Sequence, residues 1–137
     1  MKVILDKGAI LPSRAHSIDA GLDLFSPIDM MIPAHGSRTI DTGVHVELPP
    51  SRAGVIISKS GLNVKHDLTS TGLIDEGYTG SIRVKIYNHG PNSYMVHRKD
   101  KISQLVVVPV DYVSVEQVDH FDSDSERGEA GFGSTGR

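Results

Sequence analysis

The 137-residue sequence contains no cysteine and no tryptophan, and aromatic residues make up only 5% of it. Without cysteine, a disulfide framework and a thiolate active site are both excluded. No apolar run approaches the length of a membrane span, and residues 1–7 lack the apolar region of a secretion signal. We therefore expect a cytoplasmic protein without a membrane partner, whose small core depends partly on contacts between subunits.

The sequence also has no strong excess of basic or of acidic residues. Fourteen basic residues stand against 17 acidic ones, for a net charge of −3. This balance argues against a general nucleic-acid binder, which would carry a basic surface. The seven histidines are scattered without the spacing of metal ligands, so a zinc site is not expected.

Short alternating segments predict an all-β fold. Val44, Val46 and Leu48 alternate with polar residues, and Ile82–Ile86 does the same, while 53–57 and 105–110 are short β-branched runs. Turn residues separate these segments, and only residues 61–66 are compatible with a short helix. Many short strands in one chain predict a jelly roll, a sandwich or a small distorted barrel.

The last residues have a different composition. Residues 119–126 are acidic and predict a solvated linker, and 127–137 are rich in glycine with one aromatic residue, Phe132. A glycine-rich backbone and an arginine can bind phosphate oxygens, and a ring can stack on a base. We therefore predict a flexible arm that closes over a phosphorylated nucleoside. A disordered terminus is the alternative. The expected division is a β domain at 1–118 and a linker with an arm at 119–137.

Polar residues within apolar segments are the candidate site residues of the body. Asp75, with Tyr78 three residues later, could act as a base beside a packing ring, or could only form a turn. Asp23 lies inside an apolar strand and needs a partner, which could be a hydrated metal, an arginine or solvent. Gln104 precedes an apolar run and could be a site residue or a satisfied strand amide. Residues 58–62 combine lysine, hydroxyl and glycine as phosphate sites do, or could only form a polar strand end that leads into a turn.

The order of these segments resembles the five motifs of the trimeric dUTPase family, the deoxyuridine triphosphate nucleotidohydrolases. The segments are Ala-Gly-Leu-Asp-Leu at 20–24, Ser-Gly-Leu at 60–62, Gly-Leu-Ile-Asp-Glu-Gly-Tyr-Thr-Gly at 72–80, Ser-Gln-Leu at 103–105 and Arg-Gly-Glu-Ala-Gly-Phe-Gly-Ser-Thr-Gly at 127–136. The resemblance runs from residue 20 to the C-terminus and includes the spacing between the motifs.

The resemblance implies a jelly-roll homotrimer with active sites shared between subunits. It implies Mg²⁺-dependent hydrolysis of dUTP at the α-phosphorus to dUMP and pyrophosphate, which limits uracil in DNA and supplies dUMP for thymidylate synthesis. Asp75 would activate the attacking water, Tyr78 would pack on the deoxyribose, and Asp23 would orient water around an Mg²⁺ ion held mainly by the phosphates. Phe132 would stack on uracil from the arm of another subunit. The implied substrate-binding residues are Lys59, Ser60, Gly61, Thr69, Gly72, Leu73, Ile74, Tyr78, Arg83, Gln104, Arg127, Phe132, Gly133, Ser134 and Thr135.

Three positions depart from the family pattern. Lys59 and Lys101 stand where the family usually has arginine, and Thr69 replaces an asparagine common in bacterial members. Lysine keeps the charge but loses the planar bidentate fork of arginine. Two alternatives stay open: a dCTP deaminase-like enzyme, and a nucleotide-responsive regulatory or binding protein on the same fold.

Overall fold

The computed structural model describes residues 1–122 and Gly128. Within them the chain forms strands and one short helix, as the alternating pattern predicted. The elements are β1 (Lys2–Leu5), β2 (Leu22–Phe25), β3 (Met30–Ile32), β4 (Ser37–Asp41), β5 (Val44–Glu47), β6 (Arg52–Ile57), α1 (Ser60–His66), β7 (Leu68–Ile74), β8 (Arg83–Asn88), β9 (Tyr94–Val96) and β10 (Lys101–Pro109). The all-β prediction is confirmed, and α1 contains the 61–66 segment that was compatible with helix.

Six strands form the main sheet, in the order β2-β10-β6-β7-β8-β4, and two-stranded sheets pair β1 with β5 and β3 with β9. All pairs are antiparallel. The sheet curls around a core of aliphatic side chains, with Leu24, Ile40, Val84 and Leu105 almost fully buried. Because successive strand residues point to opposite faces, one apolar set from each strand fills this core.

The opposite face of the sheet is also apolar near its centre. By register, Val55 on β6 lies between Leu73 on β7 and Val106 on β10, on the face away from the core. Leu73 is 64% exposed and Ile57 is 38% exposed. When a sheet has apolar residues on both faces, both faces are usually covered by other layers of protein.

The segment after β10 leaves the body of the domain without forming a strand or helix, as far as residue 122. It carries exposed apolar side chains, among them Val113, Val115 and Phe121. The predicted boundary between 118 and 119 stays a prediction. The predicted arm residues Arg127, Phe132, Gly133, Ser134 and Thr135 lie outside the described residues.

Across residues 1–122 and Gly128, no helix is long and apolar enough to cross a membrane.

Candidate active site

Asp23 is the buried acidic residue that the sequence indicated. It lies on β2 between Leu22 and Leu24, whose side chains enter the core, so its own side chain faces the other side of the sheet, where it is only 5% exposed. Lys101 Nζ lies 2.8 Å from one carboxylate oxygen, and Lys59 Nζ contacts the other. The charged partners of Asp23 in the structure are therefore two lysines rather than an arginine, and its role toward a hydrated metal stays a prediction.

The ion pairs decide the ionisation of this carboxylate. Burial raises the pKa of Asp23, but hydrogen bonds and charge attraction from Lys101 and Lys59 outweigh it and lower the pKa below its ordinary value. Asp23 is therefore ionised at neutral pH although water hardly reaches it.

A cleft of about 330 Å³ opens beside this ion-pair group. Gln104 is paired with Asp23 across the β2–β10 ladder and with Ile57 across the β10–β6 ladder, so its side chain lines the same cleft. Gly21 forms one wall, and a Cβ atom there would lie 2.3 Å from the Gln104 Oε1 atom. A larger residue at position 21 would force the Gln104 side chain to move, which gives a physical reason for glycine at this position.

Three serines fix the loop that carries Lys59. Ser58 Oγ accepts a hydrogen bond from the Ser70 amide at 2.9 Å and donates to the Ser70 carbonyl at 3.1 Å. Buried Ser103 donates to the Ile57 carbonyl and shares a 2.8 Å bond with Ser70 Oγ. Gln104 Nε2 donates to the Ser58 carbonyl at 3.1 Å. The backbone leading into Lys59 and α1 is therefore held from β7 and β10 together.

Asp75 is in a different setting. It follows the last residue of β7 and begins a turn closed by the Tyr78 amide, which donates to the Asp75 carbonyl at 3.1 Å. Its side chain is exposed. The Tyr78 ring lies over Gly80, where a Cβ atom would be 2.4 Å from the tyrosine hydroxyl, and that hydroxyl donates to the Ser81 carbonyl.

The turn segment, residues 75–82, is anchored at several points. Glu76 accepts from the Ser51 amide at 2.7 Å and from the Tyr112 hydroxyl at 2.5 Å, and these bonds lower the pKa of Glu76. His45 Nδ1 bonds the Thr79 carbonyl at 2.8 Å. Ile82 pairs with Thr42 and Val44 through backbone bonds. Asp75 is therefore accessible to solvent while its backbone is held.

The strands before and after this turn segment separate and leave an opening. Residues 68–70 of β7 pair with β8, and the ladder ends at Ser70 opposite Ile86. Residues 71–74 pair with β6 on one side only, so their other backbone edge is not paired to β8. Continued register would have placed Leu73 opposite Arg83, whose guanidinium instead lies 3.3 Å from Asp41. Free backbone donors and acceptors therefore line the opening that ends at Asp75.

One chain keeps its two groups of polar residues apart. One row across four strands consists of Asp23, Gln104, Ile57 and Thr71. Asp75 lies four residues beyond Thr71 in the direction of β7, just after the end of that strand. With about 4.8 Å between strands and 3.3 Å per residue, Asp75 and Asp23 are roughly 20 Å apart along the sheet. The structure thus brings Asp23, Lys59, Lys101 and Gln104 together, and leaves Asp75 and Tyr78 in a second group.

Comparison with known proteins identifies the family to which this chain belongs. The sequence profile of dUTPase matches residues 7–136. A deoxyuridine 5'-triphosphate nucleotidohydrolase from Gloeothece citriformis is 50% identical over 135 residues, which is 96% of this chain and 92% of that protein. The chain belongs to the dUTPase family.

Solved structures of this family agree in fold. A Staphylococcus bacteriophage 80alpha dUTPase with dUpNHpp superposes with a TM-score of 0.93 at 33% identity, covering 99% of this chain and 98% of that one. A mutant dUTPase from phage phi11 of S. aureus, described for its coordination of a structural Mg(II) ion, gives a TM-score of 0.82 at 29% identity over 89% and 98% of the two chains. The jelly-roll prediction is confirmed by these dUTPase structures.

The remaining predicted site residues have defined positions. Ser60 and Gly61 begin α1, and Gly72, Leu73 and Ile74 line the unpaired edge of β7. Thr69 lies where β7 still pairs with β8, and its hydroxyl bonds His89 at 2.7 Å. Their roles toward substrate stay predictions.

Sequence reasoning missed several residues that support the site through contacts with other segments of the chain. These are Lys101 as a partner of Asp23, Glu76 with Tyr112, and His45. Lys101 was noticed only as a departure from the family pattern. No periodicity marks the other contacts, because each one joins segments at least 34 residues apart in sequence.

Proposed function

We propose that the protein is a dUTP diphosphatase that hydrolyses dUTP to dUMP and pyrophosphate. The observation that carries the proposal is the family match over residues 7–136, combined with an accessible Asp75 at the end of a strand whose backbone edge is open. In this reaction a water oxygen forms a bond to the α-phosphorus, the bond from that phosphorus to the bridging oxygen breaks, and pyrophosphate leaves. Asp75 orients the water and takes its proton.

The open edge of β7 suits recognition of the base. Its backbone amides and carbonyls can pair with the carbonyls and ring N–H of uracil, and the amine of cytosine would meet a donor instead of an acceptor. Tyr78, 45% exposed beside this edge, is proposed to pack on the sugar. Selection of dUTP over dCTP therefore rests on main-chain hydrogen bonds that no side-chain substitution can readily remove.

The Asp23 cleft supplies the charge that a triphosphate needs. Lys59, Ser60, Gly61 and Gln104 lie on or beside it and are proposed to contact phosphate oxygens. In the described part of the chain, no three acidic or histidine side chains converge as a metal site. A single buried carboxylate with an adjacent amide fits a role in orienting the waters of a hydrated Mg²⁺ rather than ligating it directly. When bound with the nucleotide, Mg²⁺ would neutralise the phosphates and stabilise the leaving pyrophosphate.

Assembly as a homotrimer is part of the proposal. A triphosphate nucleotide cannot contact Asp75 and the Asp23 cleft of the same chain if they are separated by roughly 20 Å of sheet. A second subunit can bring its Asp75 to the first subunit's cleft, and the apolar outer face around Val55 and Leu73 offers a surface for such a contact. The arm residues Arg127, Phe132, Gly133, Ser134 and Thr135 are proposed to complete the site from another subunit. We propose a cytoplasmic location for this assembly.

Measuring product release from each deoxynucleoside triphosphate tests the function. We expect pyrophosphate from dUTP, with dCTP at least about 100-fold poorer because its amine would leave polar groups of the site unpaired. We also expect dTTP to be a poorer substrate, because of a steric limit at the 5-position of the ring. Release of ammonia from dCTP would instead establish the deaminase alternative. Nucleotide binding with no product from any of the substrates would favour a regulatory protein.

Complementation between inactive variants tests the shared site. Asp75→Asn and a Ser60→Ala/Gln104→Ala variant should each have little activity, and co-refolding them should restore it. Random mixing leaves about one quarter of the sites with an intact Asp75 from one subunit and an intact cleft from the next. Failure to recover activity, in mixtures that sediment at three times the 14.8 kDa chain mass, would contradict shared sites.

A further inference from the structure

The side chain of Glu76, the residue after Asp75, lies where three segments of the chain meet at one end of the main sheet. Here β6 begins at Arg52, β7 ends at Ile74 and β10 ends at Pro109. Because β6 lies between the other two strands, no backbone ladder can join β7 to β10 directly. A contact between the segments that follow β7 and β10 therefore has to come from side chains.

Glu76 provides this contact through a single oxygen atom. Its Oε2 atom accepts the Ser51 amide at 2.7 Å and the Tyr112 hydroxyl at 2.5 Å. Ser51 lies in the turn before β6, and Tyr112 lies in the segment that follows β10. We call these two hydrogen bonds the Glu76 bridge. The bridge joins the Asp75 turn segment to both neighbouring segments within one chain.

The backbone of Ser51 has an uncommon conformation that serves this bridge. Its φ angle is 55°, in the left-handed region that residues other than glycine rarely occupy. Its amide donates to Glu76, and its carbonyl accepts the Val110 amide at 3.1 Å. Such conformations persist where the surrounding contacts determine them, and they cluster at functional sites. The Glu76 bridge is therefore part of a constrained structure and not an isolated surface contact.

The ionisation of the two side chains favours the bridge at neutral pH. The bond to Glu76, together with the negative charges of Glu76 and Asp75, raises the pKa of Tyr112, so its hydroxyl keeps the proton that it donates. The bonds from Tyr112 and Ser51 lower the pKa of Glu76, which therefore stays ionised. Hydrogen bonds to an ionised acceptor are stronger than neutral ones, so this bridge can persist although Glu76 and Tyr112 are exposed.

We propose that Glu76 and Tyr112 are positioning residues that set the orientation of the Asp75 carboxylate for hydrolysis. The Asp75 side chain is exposed, so its position depends on the backbone that carries it, and the bridge holds the next residue of that backbone. A displacement of about 1 Å at a reacting group can lower a rate by about 100-fold. The inference rests on the proposed function and deepens it, because Tyr112 acts on the reaction through Glu76 without touching the substrate.

Steady-state hydrolysis of dUTP compares two substitutions of Glu76 that remove the same charge. Glu76→Ala should lower kcat by about 10- to 30-fold and leave KM within about 2-fold, because it removes the bridge but no contact to the substrate. Glu76→Gln should keep kcat within about 3-fold of wild type, since one amide oxygen can accept both donors. An equal loss in both variants would show that the negative charge beside Asp75 matters and the bridge does not, which would overturn the proposal.

Removal of the Tyr112 hydroxyl tests whether this residue acts through Glu76. Tyr112→Phe should lower kcat by about 3- to 10-fold, and it should have no further effect in the Glu76→Ala background. An additive loss or a raised KM would mean that Tyr112 contacts the substrate itself, and the positioning role would be rejected. Glu47→Ala is the matched control and should match wild type, since Glu47 is an exposed glutamate that pairs with Lys2 on the β1–β5 ladder.

Amide hydrogen exchange of residues 75–82 gives a readout that does not depend on turnover. Exchange should be faster in Glu76→Ala and Tyr112→Phe than in wild type and unchanged in Glu76→Gln, while thermal unfolding shows that each variant is folded. Faster exchange with an unchanged kcat, or a lower kcat with unchanged exchange, would each contradict the positioning role. A wild-type protein that hydrolyses no dUTP would reject the proposed function and this inference with it, whereas normal wild-type hydrolysis with either of those results would reject only this inference.

Discussion

The two polar ends of the main sheet differ in how they are built. At the β2–β10 end, Asp23 is buried, ion-paired and surrounded by side chains from three strands. At the β7 end, Asp75 is exposed, and only its backbone and its neighbours are tied down. At the first end the charged groups form ion pairs within one chain, while the second end exposes a carboxylate to solvent. This difference teaches that one chain keeps a paired, buried carboxylate and an exposed one apart, and in the proposed trimer the two groups would complement each other between subunits.

The largest expected effect comes from the exposed end. Asp75→Asn should reduce kcat by roughly 10²–10⁴-fold, the range for loss of a general base, while dUpNHpp binding persists because the change is nearly isosteric. Steady-state hydrolysis and calorimetry measure the two quantities. Asp29→Asn is the control, since this exposed aspartate accepts the Arg98 amide through an oxygen that asparagine retains. Turnover like wild type in Asp75→Asn would break the assignment of the two ends.

Removing the arm tests whether the Asp23 cleft and Asp75 are enough for activity without it. Truncation after Glu126 should lower kcat/KM by at least about 100-fold, because it removes an arginine and two hydroxyls that are proposed to bind phosphate. The trimer should remain folded, which sedimentation and thermal unfolding would show. A truncated protein with unchanged kcat/KM would mean that the body alone forms the complete site.

The buried carboxylate Asp23 should also affect stability. Asp23→Asn should lower the free energy of unfolding at pH 7 by roughly 2 kcal/mol, because an amide cannot accept from both lysines. The folded pKa of Asp23 lies below its ordinary value, so its contribution is present above about pH 4 and is lost as pH falls through the folded pKa. Denaturant unfolding of both proteins should therefore converge on acidification. A difference that stays constant down to pH 2 would show that ionised Asp23 does not stabilise the fold.

The smallest expected effect concerns His45, which ties the Asp75 turn segment to β5. Its bond to the Thr79 carbonyl, together with Asp6 and Asp41, raises the pKa of His45. The stabilisation is present below the ordinary histidine value and is lost as pH rises through the folded pKa. His45→Gln should be slightly less stable than wild type at pH 6 and equal to it at pH 8.5. Thermal unfolding at both values measures this, and a gap that widens with pH would have the wrong sign.

Much of the fold could be predicted from local pattern. The alternation at Val44–Glu47 and from Ile82 to Ile86 fits strands with one buried face, and the structure confirms it. The short helix was foreseen because 61–66 lacks that alternation. The strand order could not be predicted in this way, because β2, β10 and β6 are neighbours in the sheet although they are distant in sequence.

The sequence by itself determined the all-β class, the family and the identity of Asp23, Asp75 and Gln104 as residues of interest, because alternation and motif order are local properties of the chain. Only the tertiary structure decided that Lys59 and Lys101 share Asp23, that β7 separates from β8 after Ser70, and that Asp75 follows the end of β7, three strands away from Asp23. These features depend on register between strands that are distant in sequence. The apolar pattern of a strand determines which of its faces is buried, but which distant strand it pairs with depends on the core that the strands share.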